Sequence, residues 1–356
     1  MSNKAHVKNV IAHLTPGGGT NIYDGLQLGY REVRKNAARD GVNLVIPLSD
    51  GQVTAGVTDP AQFQQLVAAQ VDKDIQTTAV GVGVQFNEDL MLSIARDGKG
   101  NYHFIKDGAD TQKVFAQELD ELTHIVAKAL KLRIQLADGV GLVRVLGATQ
   151  LSAEQVQQVK AEEKKIDRKV YEELGITQNR QKDDDEPGIK VLIPNFYRGD
   201  SHVVMLEVSI PPGGGTRKVA DVFLQYKDLV FKRNREARAT VSVEYVPDRE
   251  TMIASINKNV KKNLLGFQTG EALIEAAALI EQGRIAEAVK RIDERMVVLG
   301  KAAQLWRDKD LDRDGKLLDR YKTVIAQLHN APHLASGELG QYLKKSLTYA
   351  GYQMTR

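Results

Sequence analysis

Two short runs constrain the fold more than anything else in the chain. Val42 to Leu48 (VNLVIPL) and Gln76 to Val84 (QTTAVGVGV) are apolar or β-branched almost throughout, without the alternation of a half-wetted strand. Such runs predict strands buried on both faces, the habit of parallel sheets sheathed in helices. Asn101 to Ile105 is a third, shorter strand. Helix starts lie between them: Asn21 before IYDGLQLGYREV, Asp59 with Pro60 at the first helical position, and Asn87 before EDLMLSIARD. The spacing of Val114, Phe115, Leu119, Leu122, Ile125, Val126 and Ala129 predicts a fourth helix over Thr111 to Leu130. Strands alternating with helices in this way belong to the doubly wound α/β class.

From Lys131 the pattern changes. Leu130 to Leu136, Leu142 to Leu146, Ile189 to Ile193, Val203 to Ile210, Lys218 to Gln225 and Ala239 to Tyr245 read as strands joined by Gly, Pro and Asp turns. Only one helix interrupts them, over residues 152–175, opened by a capping box at Ser152 and Gln155 and closed at Gly175. An antiparallel β-sandwich is expected, with Lys182 to Gly188 (KDDDEPG) a charged surface loop. After Arg249 the period is helical again. Leu273, Ile274, Ala277 and Ile280 form one stripe, and Ile285, Ala288, Val289, Ile292 and Met296 another, with Gly283 between them. Further helices are expected near Leu317 to Leu328 and Gly337 to Tyr349. The 356 residues therefore divide into an α/β domain (1–130), a sandwich (131–248) and an α-helical tail (249–356).

Charge narrows the partners. Lys plus Arg number 49 against 46 for Asp plus Glu, a net +3. A nucleic-acid or membrane-surface binder would show a stronger basic excess, so neither partner is expected. There is no cysteine, which removes thiolate nucleophiles and zinc-thiolate sites. The polar start, Met1 to Asn9, lacks the apolar core of a leader, and no apolar stretch reaches membrane length, so a soluble, cytoplasmic protein is expected.

Two motifs offer chemistry. Pro16-Gly17-Gly18-Gly19-Thr20-Asn21 opens the first sheet-covering helix, where three glycines let the backbone approach a ligand closely. The lysine of a phosphate-binding loop is missing, so phosphate cradling is a poor fit. Leu48-Ser49-Asp50-Gly51 ends the first apolar strand, on the side of an open sheet where ligands bind. A threonine hydroxyl and a carboxylate at such a rim make a hard-oxygen pair suited to magnesium or manganese.

With these motifs the chain resembles the von Willebrand factor A family, in particular bacterial proteins that join the A domain to a β-sandwich and a helical tail. The resemblance rests on GGGTNIYDGL (Gly17 to Leu26), PLSDGQVTAGVTDP (Pro47 to Pro60), AVGVGVQFNEDLM (Ala79 to Met91) and GNYHFI (Gly100 to Ile105). It continues more loosely through VADVFLQY (Val219 to Tyr226) and VSVEY (Val241 to Tyr245). It implies a metal-ion-dependent adhesion site with Thr20 and Asp50 as ligands and Gly17, Gly18, Gly19, Ser49 and Gly51 shaping the loops. Mg2+, or Mn2+ or Ca2+ in its place, is the implied ion, and the carboxylate of a protein partner is implied at its open position.

One departure matters. The family's first metal motif, Asp-x-Ser-x-Ser, occurs nowhere in the sequence. In the order 3-2-1-4-5-6 the three strands are then the fourth, fifth and sixth, and the chain is expected to begin halfway through its A domain. The site would be incomplete and its ion weakly held or absent, and Val42 to Leu48 would present an open edge for a complementing chain.

Other features read more plainly. Pro212 to Thr216 repeats PGGGT between sandwich strands and is expected to be a hairpin turn without ligand. Gly81 to Phe86 (GVGVQF) lacks the last glycine of a dinucleotide fingerprint. Asp308 to Gly315 (DKDLDRDG) misses calcium-loop positions in either register and reads as a solvated interhelical loop. Lys232, Arg233, Arg235 and Arg238 could meet an acidic partner, though a wetted hairpin tip is the plainer reading. His329 and His333 are interrupted by Pro332, and Trp306 is expected to pack in the tail. No nucleophile, base and orienting acid can be assembled, so the chain is not expected to be an enzyme. A protein-binding module of the A-domain type is the leading expectation. The alternatives are an assembly protein whose open edge another chain completes, and a non-catalytic regulatory subunit of an ATPase-type complex.

Overall fold

The computed structural model describes residues 3–15, 17–37, 42–71, 73, 75–106, 108–147, 164, 167–168, 170–172, 174–176 and 188–355. They fall into two compact units, one of residues up to 37 together with 43–105, the other from Lys106 onward. The units part before the expected boundary at 130. Lys106, just past the last strand of the first unit, lies with its ammonium 4.4 Å from the ring of Tyr342 in the tail.

The first unit is the α/β one. Helix α1 (Lys4–Ala12) and helix α2 (Ile22–Lys35) precede strands β1 (Asn43–Val45) and β2 (Leu48–Ser49). Then follow α3 (Pro60–Val71), β3 (Ile75–Val82), α4 (Glu88–Asp97) and β4 (Lys99–Ile105). β1 and β2 both pair with β3, and β4 pairs with its other side, all in parallel. The expected run Val42 to Leu48 is thus one strand broken at Ile46 and Pro47, because proline has no N–H for the ladder. Both crossovers, through α3 and α4, step the same way across the sheet, and the two helices pack side by side. Right-handed crossovers put them on one face. β3 is central, with Thr77, Thr78, Ala79 and Val80 all buried. Phe63 and Val67 of α3, Met91 and Ile94 of α4, and Leu26 and Tyr30 of α2 bury against the sheet region. Each such apolar side chain contributes about 1.5–3 kcal/mol of transfer free energy. The expected caps are in place: Asn21 and Asn87 accept from Asp24 N and Leu90 N, both at 3.1 Å, and Asp59 from Ala61 N at 3.0 Å.

The second unit opens with α5 (Gly108–Thr123), followed by β5 (Ile125–Leu136), β6 (Gly141–Leu146), β7 (Ile189–Tyr197), β8 (Met205–Ser209), β9 (Gly215–Asp228) and β10 (Arg233–Tyr245). The helix expected over 111–130 therefore stops seven residues early. Val126 and Ala129 fit a helical stripe locally, but β5 lies between β7 and β9, and ladders on both sides outweigh local period. Two antiparallel sheets result, β10-β9-β5-β7 and β6-β8. Ile134, Ile189, Val219 and Ala220 of one pack with Leu142, Leu206 and Val208 of the other, which makes them the two layers of a small sandwich. PGGGT at 212–216 is not a hairpin: β8 and β9 lie in different sheets, so this segment carries the chain from one layer to the other. The helix expected over 152–175 and the loop 182–188 lie largely outside the described residues. Buried Asp167 is among those described, and it pairs with buried Lys227 at 2.7 Å.

The tail comprises α6 (Arg249–Ala254), α7 (Lys258–Glu281), α8 (Ile285–Trp306), α9 (Lys309–Asn330) and α10 (Glu338–Thr355). Leu273, Ile292, Leu318, Ile325, Leu343 and Leu347 anchor a shared core, with Trp306 packed against it. Asp308 to Gly315 is not a loop. Asp308 caps α9, accepting from Asp310 N at 3.0 Å and Leu311 N at 3.2 Å, and the remaining acids lie on the first turns of that helix. Buried Arg295 joins α8 to α7 by donating to Thr269 Oγ1, Gln268 Oε1 and the Leu265 carbonyl. Burial pushes its guanidinium down to about 10, and these acceptors limit the cost of placing a cation there.

Candidate functional site

Parallel strands all end on one side, so the loops after β2 and β3 share a rim with the N-terminus of α2. Gly18, at φ +76°, takes the left-handed conformation that the turn into α2 requires. At Gly19 a Cβ would stand 3.0 Å from both Ala55 Cβ and Thr54 Oγ1, so a side chain there would push the loops apart. Pro16 lies outside the described residues.

Three hydrogen bonds lace the glycine-rich loop to the segment that follows the Leu48-Ser49-Asp50-Gly51 turn. Thr20 N donates to Thr54 Oγ1 at 2.8 Å, while Thr54 N and Ala55 N donate to the Thr20 carbonyl at 3.0 and 3.2 Å. A Cβ built on Gly51 would meet Thr20 Oγ1 at 3.5 Å, so the threonine hydroxyl lies over the residue that follows Asp50. Asp50 is exposed and Thr20 half-buried. Ser49 is buried and donates to the Gly51 carbonyl at 3.0 Å, which commits its hydroxyl to the turn. The loop after β2 is tied onward to the loop after β3 by Gln52 Nε2, which donates to the Gln85 carbonyl at 2.7 Å.

Sequence reasoning missed Thr54. It braces Thr20 across 34 residues, and no local pattern announces such a partner. Gly56 was missed as well: at φ +72° it backs onto the Asn21 side chain, so that a Cβ there would overlap the α2 cap. In the GVGVQF segment the Phe86 ring occupies the space a Gly81 side chain would need, and Gly83, at φ +67°, turns the chain. Gly81 therefore serves packing and Gly83 the turn.

Thr20 and Asp50 fit a hard cation in kind, since both offer oxygen. Magnesium takes about six oxygens, and among the described residues no group of three or more His, Cys, Asp or Glu comes together. No helix among them is long and apolar enough to cross a membrane.

Against known proteins, the family model of the von Willebrand factor type A domain matches residues 1–117. The uncharacterized protein YfbK of Escherichia coli is 33% identical over 135 residues, which is 38% of this chain and 24% of that protein. Inter-alpha-trypsin inhibitor heavy chain H2 of Sus scrofa is 26% identical over 136 residues, 37% of this chain and 14% of that one. The chain thus spans well under half the length of these relatives. Among solved structures, a von Willebrand factor type A protein from Catenulispora acidiphila superposes with a TM-score of 0.59 at 16% identity, covering 87% of this chain and 66% of its own. That likeness carries the fold beyond the α/β unit into the sandwich and helices.

Proposed function

With residues 1–117 as a von Willebrand factor type A domain, we propose that the chain is a non-catalytic protein-binding module whose rim receives an acidic side chain of a partner protein. The observation that supports this most is the Thr20 hydroxyl lying over Gly51, the residue that follows exposed Asp50. In this reading Thr20 and Asp50 are the residues that would hold Mg2+, Mn2+ or Ca2+, and Gly17, Gly18, Gly19, Ser49 and Gly51 fix the loops. The ion would supply positive charge facing the partner's carboxylate. Thr54 positions Thr20, and the Asn21 cap holds the start of α2 beneath it.

Because two donors are far from a full shell, calorimetric titration of the chain alone with MgCl2 should show no tight stoichiometric binding. Proteins retained on the immobilised chain in magnesium should be released by chelator and lost with Asp50→Ala. If the same proteins stay bound under both conditions, the rim is not their site.

A second reading has its own support. Among the described residues β1 and β2 pair with β3 alone, Leu48 is 53% exposed, and Val7, Val10 and Ile11 of α1 and Leu14 just after it are exposed. An open parallel edge together with exposed apolar side chains suits assembly with a strand of another chain. Retention that ignores both Asp50 and magnesium would favour it.

A further inference from the structure

We propose that the β9–β10 hairpin of the second unit is a separate docking point for an acidic peptide segment of a partner protein. At its tip Val230 is 64% and Phe231 65% exposed, two adjacent large apolar side chains that face solvent. The turn under them is held firmly. Asp228 accepts from Val230 N and Phe231 N, both at 3.0 Å, Leu229 N donates to the Val126 carbonyl at 3.0 Å, and Lys232 sits at φ +51°. Phe231 is therefore presented by a fixed turn, which lowers the ordering cost of binding.

Around the ring stand cations. The guanidinium carbons of Arg233 and Arg235 lie 5.4 and 5.5 Å from the Phe231 centroid. Arg235 is shared with Asp228 at 3.3 Å, and Arg238 faces Glu236 at 3.7 Å. Among the described residues Lys232 and Arg233 have no carboxylate partner. An unpaired guanidinium fork beside an exposed aromatic face fits a carboxylate that carries an apolar neighbour, since the fork takes two oxygens in its plane and the ring takes the apolar group. A bilayer fits less well, because the exposed Glu236 lies in the same hairpin and would meet the anionic lipid. The Lys232 to Arg238 stretch, plainest in the sequence as a wetted tip, thus flanks an exposed apolar centre at Val230 and Phe231.

The full-length chain, in EDTA, is titrated into a fluorescein-labelled acidic peptide with a central leucine, and into the same peptide with its acids replaced by amides. Anisotropy should report binding of the acidic peptide alone. Phe231→Ala and Arg233→Gln should each weaken it about tenfold, Arg233→Lys should weaken it less, and the distant exposed Lys290→Gln should leave it unchanged. Circular dichroism checks that each variant is folded. Asp50→Ala should bind as well as the parent, so failure of the rim and failure of the hairpin are separately visible. Equal binding of the amide peptide, or indifference to Phe231 and Arg233, overturns the proposal. So does Arg233-dependent sedimentation with phosphatidylserine vesicles, or Arg233-dependent self-association, without peptide binding.

Discussion

Gly56 shows how a single hydrogen atom in place of a side chain can hold two distant loops in register. Its φ of +72° and its position against the Asn21 side chain mean that Gly56→Ala both strains the backbone and displaces the α2 cap. Backbone strain costs about 1–2 kcal/mol and loss of the cap about 1 kcal/mol, so urea denaturation should show a destabilisation of about 2–3 kcal/mol. Tyr30 makes a second prediction. Its hydroxyl meets Thr77 Oγ1 at 2.7 Å in the core of the first unit, and burial, opposed in part by that bond, pushes the phenol up to about 12 from 10.0. A raised pKa stabilises the fold fully below pH 10 and loses that contribution as pH climbs through about 12, because the unfolded chain ionises first. Tyr30→Phe should therefore flatten part of the alkaline loss of stability, at a cost near neutral pH of about 1 kcal/mol for the bond with Thr77. Tyr321 is pushed up by burial in the same window and keeps its share in this variant.

At the scale of elements, the tail depends on a close crossing of α7 and α10. A Cβ at Gly351 would lie 2.6 Å from the Gly270 carbonyl oxygen, and one at Gly270 would lie 2.7 Å from that of Gly351. Neither backbone can yield without separating the helices, so Gly351→Ala should cost about 3 kcal/mol by overpacking, read as a drop in Tm. The junction of α7 and α9 is electrostatic instead. Lys262 meets Asp310 at 2.7 Å and Asp308 at 3.0 Å, and its hydrogen bonds hold both carboxyls below the usual carboxylate range. Depressed carboxylates stabilise the fold above their unfolded value of 3.8, and the contribution is lost as pH falls through the lowered folded values. Lys262→Met should make acid unfolding less steep below about pH 4. Element type was mostly legible in the sequence, because burial period and caps are local. The end of α5 was not, since the residues of β5 gain their second ladder only from β9, far along the chain.

The molecule as a whole has separate cores, one around β3 and one in the tail, with the small sandwich of the second unit between them in sequence. Calorimetry should resolve more than one transition, with Tyr30→Phe moving one and Gly351→Ala another; a single transition shifted by both would mean that the cores unfold as one. The sequence by itself determined that parallel strands occupy the first third, where the helices start, and which loops carry Thr20 and Asp50, because apolar period, capping residues and glycine runs act over a few positions. Tertiary structure alone decided that Thr54 braces Thr20, that the second PGGGT segment crosses between sheets, and that Phe231 stands exposed among arginines. Those depend on which strands pair and which loops meet, and such choices are made by contacts between residues tens of positions apart that leave no local trace.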